Sequence, residues 1–256
     1  MINKLINLIK GEKRVFLSFC KVNNLNLDFH RNRYEFGVLK AIFEDREYSD
    51  FFPFYRKATI IDIGAHYGYF SIFANNNTDI SSKIIAVEPN KNNFLNLEKN
   101  IKACGIINIS NLNLAISGKS GVSNLYIGET PNHSLFENYL LNKDKNRGFE
   151  EVKAKTLEDL IVENDLDKID FLKMDCEGAE YEILGNTPGY IYDRILTISM
   201  EFHDLKDSHY TGEDLAGILI NNGFRIVKFK YEKTSLNLNY GKMIATKLLD
   251  PNLATA

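Results

Sequence analysis

Two glycines four residues apart, Gly64 and Gly68, stand between the acid Asp62 and an apolar segment that opens at Tyr69. Glycine has no Cβ, so the backbone can turn sharply there and approach a bound molecule, while a helix behind the turn presents free N–H groups. Ala65 and His66 lie inside that turn. Further on, the run Lys83–Val87 ends on Glu88, followed by Pro89 and Asn90. An acid at the end of a second strand, about 20 residues or more past a glycine turn, is placed to accept hydrogen bonds from both hydroxyls of a ribose. Together these features point to a ligand that carries a nucleoside. The spacing Gly-x-x-x-Gly matches neither the Gly-x-Gly-x-x-Gly of dinucleotide folds nor a triphosphate loop, which also needs a lysine and a serine or threonine. A later acidic group, Asp175, Glu177 and Glu201, is joined by His203.

The elements that must position these residues follow from patterning. Thr59–Ile63 is a β-branched run that reads as a strand, and the glycine turn leads from it into a helix. Lys83–Val87 is the next strand, which Pro89 terminates because it cannot continue a ladder. Asn92–Ala103 is expected as a helix ended by Gly105, Ile106–Leu114 as the third strand, and Val122–Ile127 as a further one. Glu150–Thr156 reads as a strand and Leu157–Asn164 as a short helix. Ile169–Met174 is the fourth parallel strand, delivering Asp175 at its carboxyl end, and Glu177–Leu184 follows as a helix. The fifth, Ile195–Met200, brings Glu201 and His203 to the same edge, on one side of the strand if it persists that far. Ligands of open α/β sheets sit outside the carboxyl ends of the strands, so Asp62, Glu88 and Asp175 should share one crevice. Gly212–Asn222 makes a helix, and Phe224–Lys230 with Gly241–Leu248 an antiparallel closing pair.

Asp62-Ile-Gly-Ala-His-Tyr-Gly-Tyr-Phe-Ser, with Val87-Glu88-Pro89-Asn90, resembles the first two motifs of class I S-adenosylmethionine-dependent methyltransferases. Asn113-Leu-Ala-Ile-Ser117 and Lys173-Met-Asp175-Cys-Glu177-Gly178-Ala179-Glu180 extend the likeness to the FkbM-type subfamily, over roughly Ile60 to His203. One departure is His66, where the family usually has Asn; an imidazole can also donate and accept. The resemblance implies an α/β, Rossmann-like fold with a mostly parallel seven-stranded sheet and helices on both faces. An N-terminal helical cap (residues 1–55) would precede the methyltransferase domain (56–250), with 251–256 as a tail. It implies S-adenosylmethionine as cofactor, held by Asp62, Gly64, Ala65, His66, Gly68, Glu88, Asn90 and Asp175, with Ala115 and Ile116 passing the adenine ring. The acceptor it implies is a hydroxyl of a sugar, glycan or secondary metabolite, while some relatives look like N-methyltransferases of side-chain amides.

Methyl transfer from a sulfonium is an in-line displacement, so the protein's main task is to hold the acceptor against the methyl group and exclude water. A hydroxyl acceptor also needs a base. His203 is the first candidate, because its ordinary pKa suits neutral pH. Asp175 and Glu177 follow as bases or acceptor-positioning groups. Asp175, Glu201 and His203 could also coordinate a divalent ion, which the reaction does not require. Glu180 and Glu182 are expected on a solvated helix face, and Cys176 as a packing residue. The stretch Gly128–Gly148, with Pro131, His133 and Ser134, is long and aperiodic and is expected to be an acceptor-facing lid.

The chain has 256 residues, 44% of them hydrophobic and 25% charged, enough for one large core with an appendage. A net charge of −3 offers no global attraction to nucleic acid. Cys20, Cys104 and Cys176 are too scattered for a disulfide framework or zinc site and read as reduced thiols of a cytoplasmic protein. No apolar run approaches a spanning helix, and Asn and Lys interrupt Met1–Lys10 too often for a signal peptide. Met1–Phe19 is basic and amphipathic, a pattern that lies on a membrane surface or, more commonly, packs on its own domain. Tyr34 and Glu35, in the aromatic-rich stretch His30–Tyr55, are placed for the mouth of the cofactor site. Two rivals are a nicotinamide oxidoreductase, which the glycine spacing opposes, and a non-catalytic cofactor- or glycan-binding scaffold, which the same motifs would also suit.

Overall fold

Runs of Ile and Val that are buried on both faces can sit only in the middle of a parallel sheet, where helices cover each side. In a computed structural model, which describes residues 2–27, 33–128, 133–135, 148–204, 210–233 and 239–249, such runs become β1 (Thr59–Ile63), β2 (Lys83–Val87), β8 (Phe171–Asp175) and β9 (Thr197–His203), with the partly exposed β3 (Ile109–Leu112) at the edge beside β2. They pair in parallel. With β10 (Arg225–Lys233) and β11 (Asn239–Thr246) they form a seven-stranded sheet in the order β10, β11, β9, β8, β1, β2, β3. Strand β11 runs antiparallel to both its neighbours, as the closing pair was expected to do. The third strand is shorter than the expected Ile106–Leu114.

A second sheet was not foreseen. Its strands are β4 (Ala115–Ile116), β5 (Gly121–Ile127), β6 (His133–Ser134) and β7 (Phe149–Lys155), in the order β4, β7, β5, β6. Ala115 and Ile116, which the resemblance sets beside the adenine ring, pair with Ala154 and Lys155. Of the expected lid, residues 129–132 and 136–147 lie outside the described residues, as does the tail 251–256.

Alternation along β1 divides the core. Ile61 and Ile63 join Leu172, Met174, Met200 and Phe202 on one face, under α5 (Leu157–Glu163), α6 (Glu180–Gly185), α7 (Gly189–Tyr192) and α8 (Gly212–Asn221). Ile60, Ile84 and Phe171 meet the other layer. That layer comprises α1 (Ile2–Val22), α2 (Arg33–Phe43), α3 (Tyr69–Asn77) and α4 (Lys91–Ala103). Phe19 of α1 packs edge-on against Phe36 and Phe43 of α2, and Phe43 against Phe73 of α3. Phe52 packs edge-on against Phe70 of α3 and Phe171 of β8 and so joins this helical layer to the sheet. Among the described residues no helix is long and apolar enough to cross a membrane.

Candidate active site

The carboxyl ends of β1, β2 and β8 open into a crevice. Gly64, Ala65 and His66 form one wall, Glu88 and Asn93 a second, and Leu114, Ala115, Ile116 and Leu125 an apolar floor. Lys173, Asp175 and Glu177 stand at the far side, with His133 and Leu135 from the small sheet. The turn is anchored by Gly64 N–H and Ala65 N–H donating to the Val87 carbonyl, both at 3.0 Å, and by Gly68 N–H donating to Ala65 at 2.7 Å. Both glycines have positive φ, +75° and +79°. His66 shares the left-handed conformation at +51°, an unusual state for a side chain with a Cβ.

Asp62 lies under the turn and does not line the crevice. It is fully buried, accepts from Ser71 Oγ at 2.7 Å and pairs with Lys173 Nζ at 3.2 Å. Lys173 in turn donates to the Gly64 carbonyl at 3.0 Å and stands 4.0 Å from Asp175. Burial works against its charge, but Asp62 and then Asp175 outweigh that and raise its pKa. Asp62 and Lys173 are register partners on adjacent strands, so the pair is a buried strut beneath the turn. Lys173→Met should therefore cost about 3–5 kcal/mol, because it leaves the Asp62 carboxylate buried without its cation. Urea denaturation checks this, and a loss under about 1 kcal/mol would show that the strut is dispensable.

Glu88 is buried with its carboxylate turned to the crevice wall. Oε2 accepts from His66 N–H at 2.8 Å, and Oε1 from Asn90 N–H at 2.9 Å. Burial pushes its pKa up to about 7, against the pull of those N–H donors. Asn90 itself does not line the crevice: its side chain caps α4, accepting from Asn92 N–H and Asn93 N–H. Asn93, absent from the sequence reading, takes the place at the wall. Asn113 Nδ2 donates to the Glu88 and Pro89 carbonyls, both at 2.9 Å, and ties the end of β2 to the floor.

A carboxylate that receives ribose hydroxyls is stabilised in its ionised form, so binding should release a proton wherever free Glu88 is protonated. Affinity for S-adenosylhomocysteine is then expected to fall by up to about tenfold per pH unit below about 7. The stability of the free protein runs the opposite way. With an unfolded value of 4.5 and a folded value of about 7, the Glu88 contribution is lost as pH rises through that window. Calorimetric titration from pH 5.5 to 8 checks the first sign and urea denaturation from pH 4.5 to 8 the second, and Glu88→Gln should flatten the affinity profile.

At the rim, β9 continues to His203, so Glu201 and His203 share a face as alternation requires. His203 is buried, with Nε2 3.3 Å from Glu201 Oε1 and 3.6 Å from Glu177 Oε2, and Nδ1 3.6 Å from Glu180 Oε1. Burial alone would lower its pKa, but the neighbouring carboxylates of Glu177, Glu180 and Glu201 hold it well above the ordinary value. That shift favours the imidazolium, which has no lone pair for a general base. Asp175, Glu177 and His203 offer donor atoms all within 4.8 Å of one another, so the three lie close enough for a divalent ion, with Glu201 beside them. The imidazolium already supplies positive charge there.

Asp175 has its carboxylate at the crevice, partly open to solvent, and accepts from Tyr48 Oη at 3.4 Å. Burial raises its pKa; Lys173 opposes this and Glu201 adds to it. The turn after it is locked by Glu180, expected on a solvated face but fully buried. Its carboxylate accepts from Cys176 N–H at 2.7 Å and Gly178 N–H at 3.0 Å. Glu177 consequently sits in the turn at φ +52°, ahead of a helix that begins three residues later than expected. Ser134 Oγ donates to its carbonyl at 2.6 Å and docks the small sheet against this turn.

A sheet ordered β3, β2, β1, β8, β9, β11, β10 with a ribose-type acid, a glycine turn and an apolar floor at its carboxyl edge defines a class I S-adenosylmethionine-dependent methyltransferase. The FkbM methyltransferase domain matches residues 62–226, and the chain belongs to that family. Methyltransferase 1 of Beauveria bassiana (strain ARSEF 2860) is 27% identical over 205 residues, 74% of this chain and 80% of that protein. Among solved structures, the METTL16 MTase domain aligns with a TM-score of 0.50 at 11% identity, covering 90% of this chain and 76% of that one. Precorrin-6y C5,15-methyltransferase from Geobacter metallireducens GS-15 aligns at 0.48 and 13% identity, covering 87% and 95%.

Proposed function

We propose that this methyltransferase acts on a hydroxyl of a sugar, glycan or secondary metabolite, with Asp175 as the base that takes the hydroxyl proton. S-adenosylmethionine supplies an electrophilic methyl group on a positively charged sulfur. In the transfer an O–C bond forms, the C–S bond breaks, the proton passes to Asp175, and S-adenosylhomocysteine leaves. The observation that supports this reading is Asp175 itself, a carboxylate of raised pKa whose side chain lines the cofactor crevice next to the Glu177, Glu201 and His203 cluster. A raised pKa makes a carboxylate a stronger proton acceptor. Glu177 and Glu201 then orient the acceptor's remaining hydroxyls, with His203 holding both. No step passes through a metal. The three free thiols fit a reducing cytoplasmic setting.

Incubation with labelled S-adenosylmethionine and a panel of sugars, glycans, phenols and peptide amides tests the reading. Label recovered in a methoxy group supports it; label in an amide or amine overturns the hydroxyl assignment. Failure to form S-adenosylhomocysteine with any acceptor, despite cofactor binding, favours a scaffold.

A further inference from the structure

We infer that Glu35 is the receptor for the α-ammonium group of S-adenosylmethionine. The inference rests on the cofactor assignment, since it concerns which part of that molecule one buried carboxylate receives. Glu35, on α2, is 4% exposed, and neither of its oxygens has a hydrogen-bond partner. The Tyr69 hydroxyl stands close enough to soften the cost of burial without closing a hydrogen bond of normal geometry. An orphaned buried carboxylate is among the costliest groups a fold can keep. Glu35 lies just behind the lining of the crevice, and Val38 and Ile42, three and seven residues on along its helix, both line it. So do His66 and Tyr69, which both stand beside its carboxylate.

The missing partner is a cation with N–H donors. Among the described residues the one basic side chain at salt-bridge distance is His66, with Nδ1 at 4.0 Å. Burial, then the charge of Lys173, pushes its pKa down to about 3, so the ring is neutral. It also keeps a buried Nε2 without a partner. Lys173 is committed to Asp62. The cofactor brings two positive centres. A sulfonium has no hydrogen to donate, whereas an ammonium has three donors, matching a carboxylate with a neutral imidazole beside it.

The order along the crevice agrees. Glu88, the ribose acid, is joined directly to the backbone of His66, while Leu114 and Ile116 of the apolar floor belong to the core layer on the other face of the sheet from Leu39 and Ile42 of α2. An adenosine laid on that floor with its ribose at Glu88 extends its amino-acid tail past His66 toward Glu35.

Calorimetric titration of the full chain and of Glu35→Gln with two ligands decides. S-adenosylhomocysteine carries the amino-acid tail; 5′-methylthioadenosine has the same nucleoside and thioether without it. Glu35→Gln should weaken the first by about tenfold or more, as loss of a charge-assisted bond does, and leave the second within about twofold. Equal weakening of both would make Glu35 a structural or ribose-side residue, and unchanged S-adenosylhomocysteine binding would remove it from the site; either result overturns the inference. Should the variant fail to melt cooperatively, the unaltered chain is titrated with the deaminated analogue of S-adenosylhomocysteine. That analogue should bind about tenfold more weakly than S-adenosylhomocysteine, and equal affinity overturns the inference. If neither nucleoside ligand binds the unaltered chain, the cofactor assignment itself fails and takes the inference with it.

Discussion

Asp175→Asn is expected to lower methyl transfer by about 10²- to 10⁴-fold while leaving S-adenosylhomocysteine affinity within about threefold. The amide keeps the volume and can still accept from Tyr48 Oη, so packing at the end of β8 is retained. What it loses is the ability to take a proton. The rate of the unaltered enzyme should rise with pH along a limb set by Asp175, whose pKa is raised first by burial and then by Glu201, and the variant should lose that limb. His203→Gln is the necessary comparison. His203 is held as a cation among Glu177, Glu180 and Glu201, so its loss should loosen those carboxylates and raise the acceptor KM more than it lowers kcat. If His203→Gln instead abolishes the basic limb and Asp175→Asn preserves it, the base is His203 and the assignment made here is wrong.

The contrast between those two residues shows what a sequence carries and what it withholds. The strand ends were legible because β1, β2 and β8 are buried on both faces, and such runs have few other homes in a fold. Their order in one crevice followed from the parallel connections, and Glu88 from its distance past the glycine turn. The protonation of His203 was not legible, because three carboxylates reach it from two separate elements. Glu180 was misassigned for a related reason: helical spacing suggested a solvated position, whereas its carboxylate closes on the N–H groups of the turn before it. Asn90 is a residue of the right type whose side chain was already engaged as a helix cap. Lys173 did leave a trace, as one cation inside an otherwise apolar run, but its partner Asp62 lies 111 positions earlier and only the sheet register joins them. The small sheet was hidden because two of its strands are only two residues long.

Gly64→Ala should be the most damaging single methyl group in the chain. At φ +75° an alanine already carries a cost of roughly 1–2 kcal/mol. The larger effect is steric. A Cβ at residue 64 would lie 1.9 Å from the Asp175 carbonyl oxygen and 2.9 Å from its carbon, and both are backbone atoms that no rotamer change can move. Ile63 and Met174 are register partners, so the clash falls where β1 and β8 release their chains into the site. Relieving it requires shifting the turn, which carries the Gly64 and Ala65 bonds to Val87 and the His66 bond to Glu88, or shifting Asp175. Either movement dismantles the cofactor wall. We expect Gly64→Ala to lose S-adenosylhomocysteine binding and to lower Tm by more than about 10 °C, as a destabilisation above about 4 kcal/mol would in a chain of this size. Gly68→Ala is the control, because it shares the positive φ but its Cβ would meet only the Leu97 side chain, at 3.1 Å. Leucine can yield a few tenths of an ångström, so that variant should fold with a loss nearer 1–2 kcal/mol, the conformational cost alone. A Gly64→Ala protein as stable as Gly68→Ala would mean that β1 and β8 do not meet at Asp175 as described, and the crevice built on that crossing would have to be redrawn.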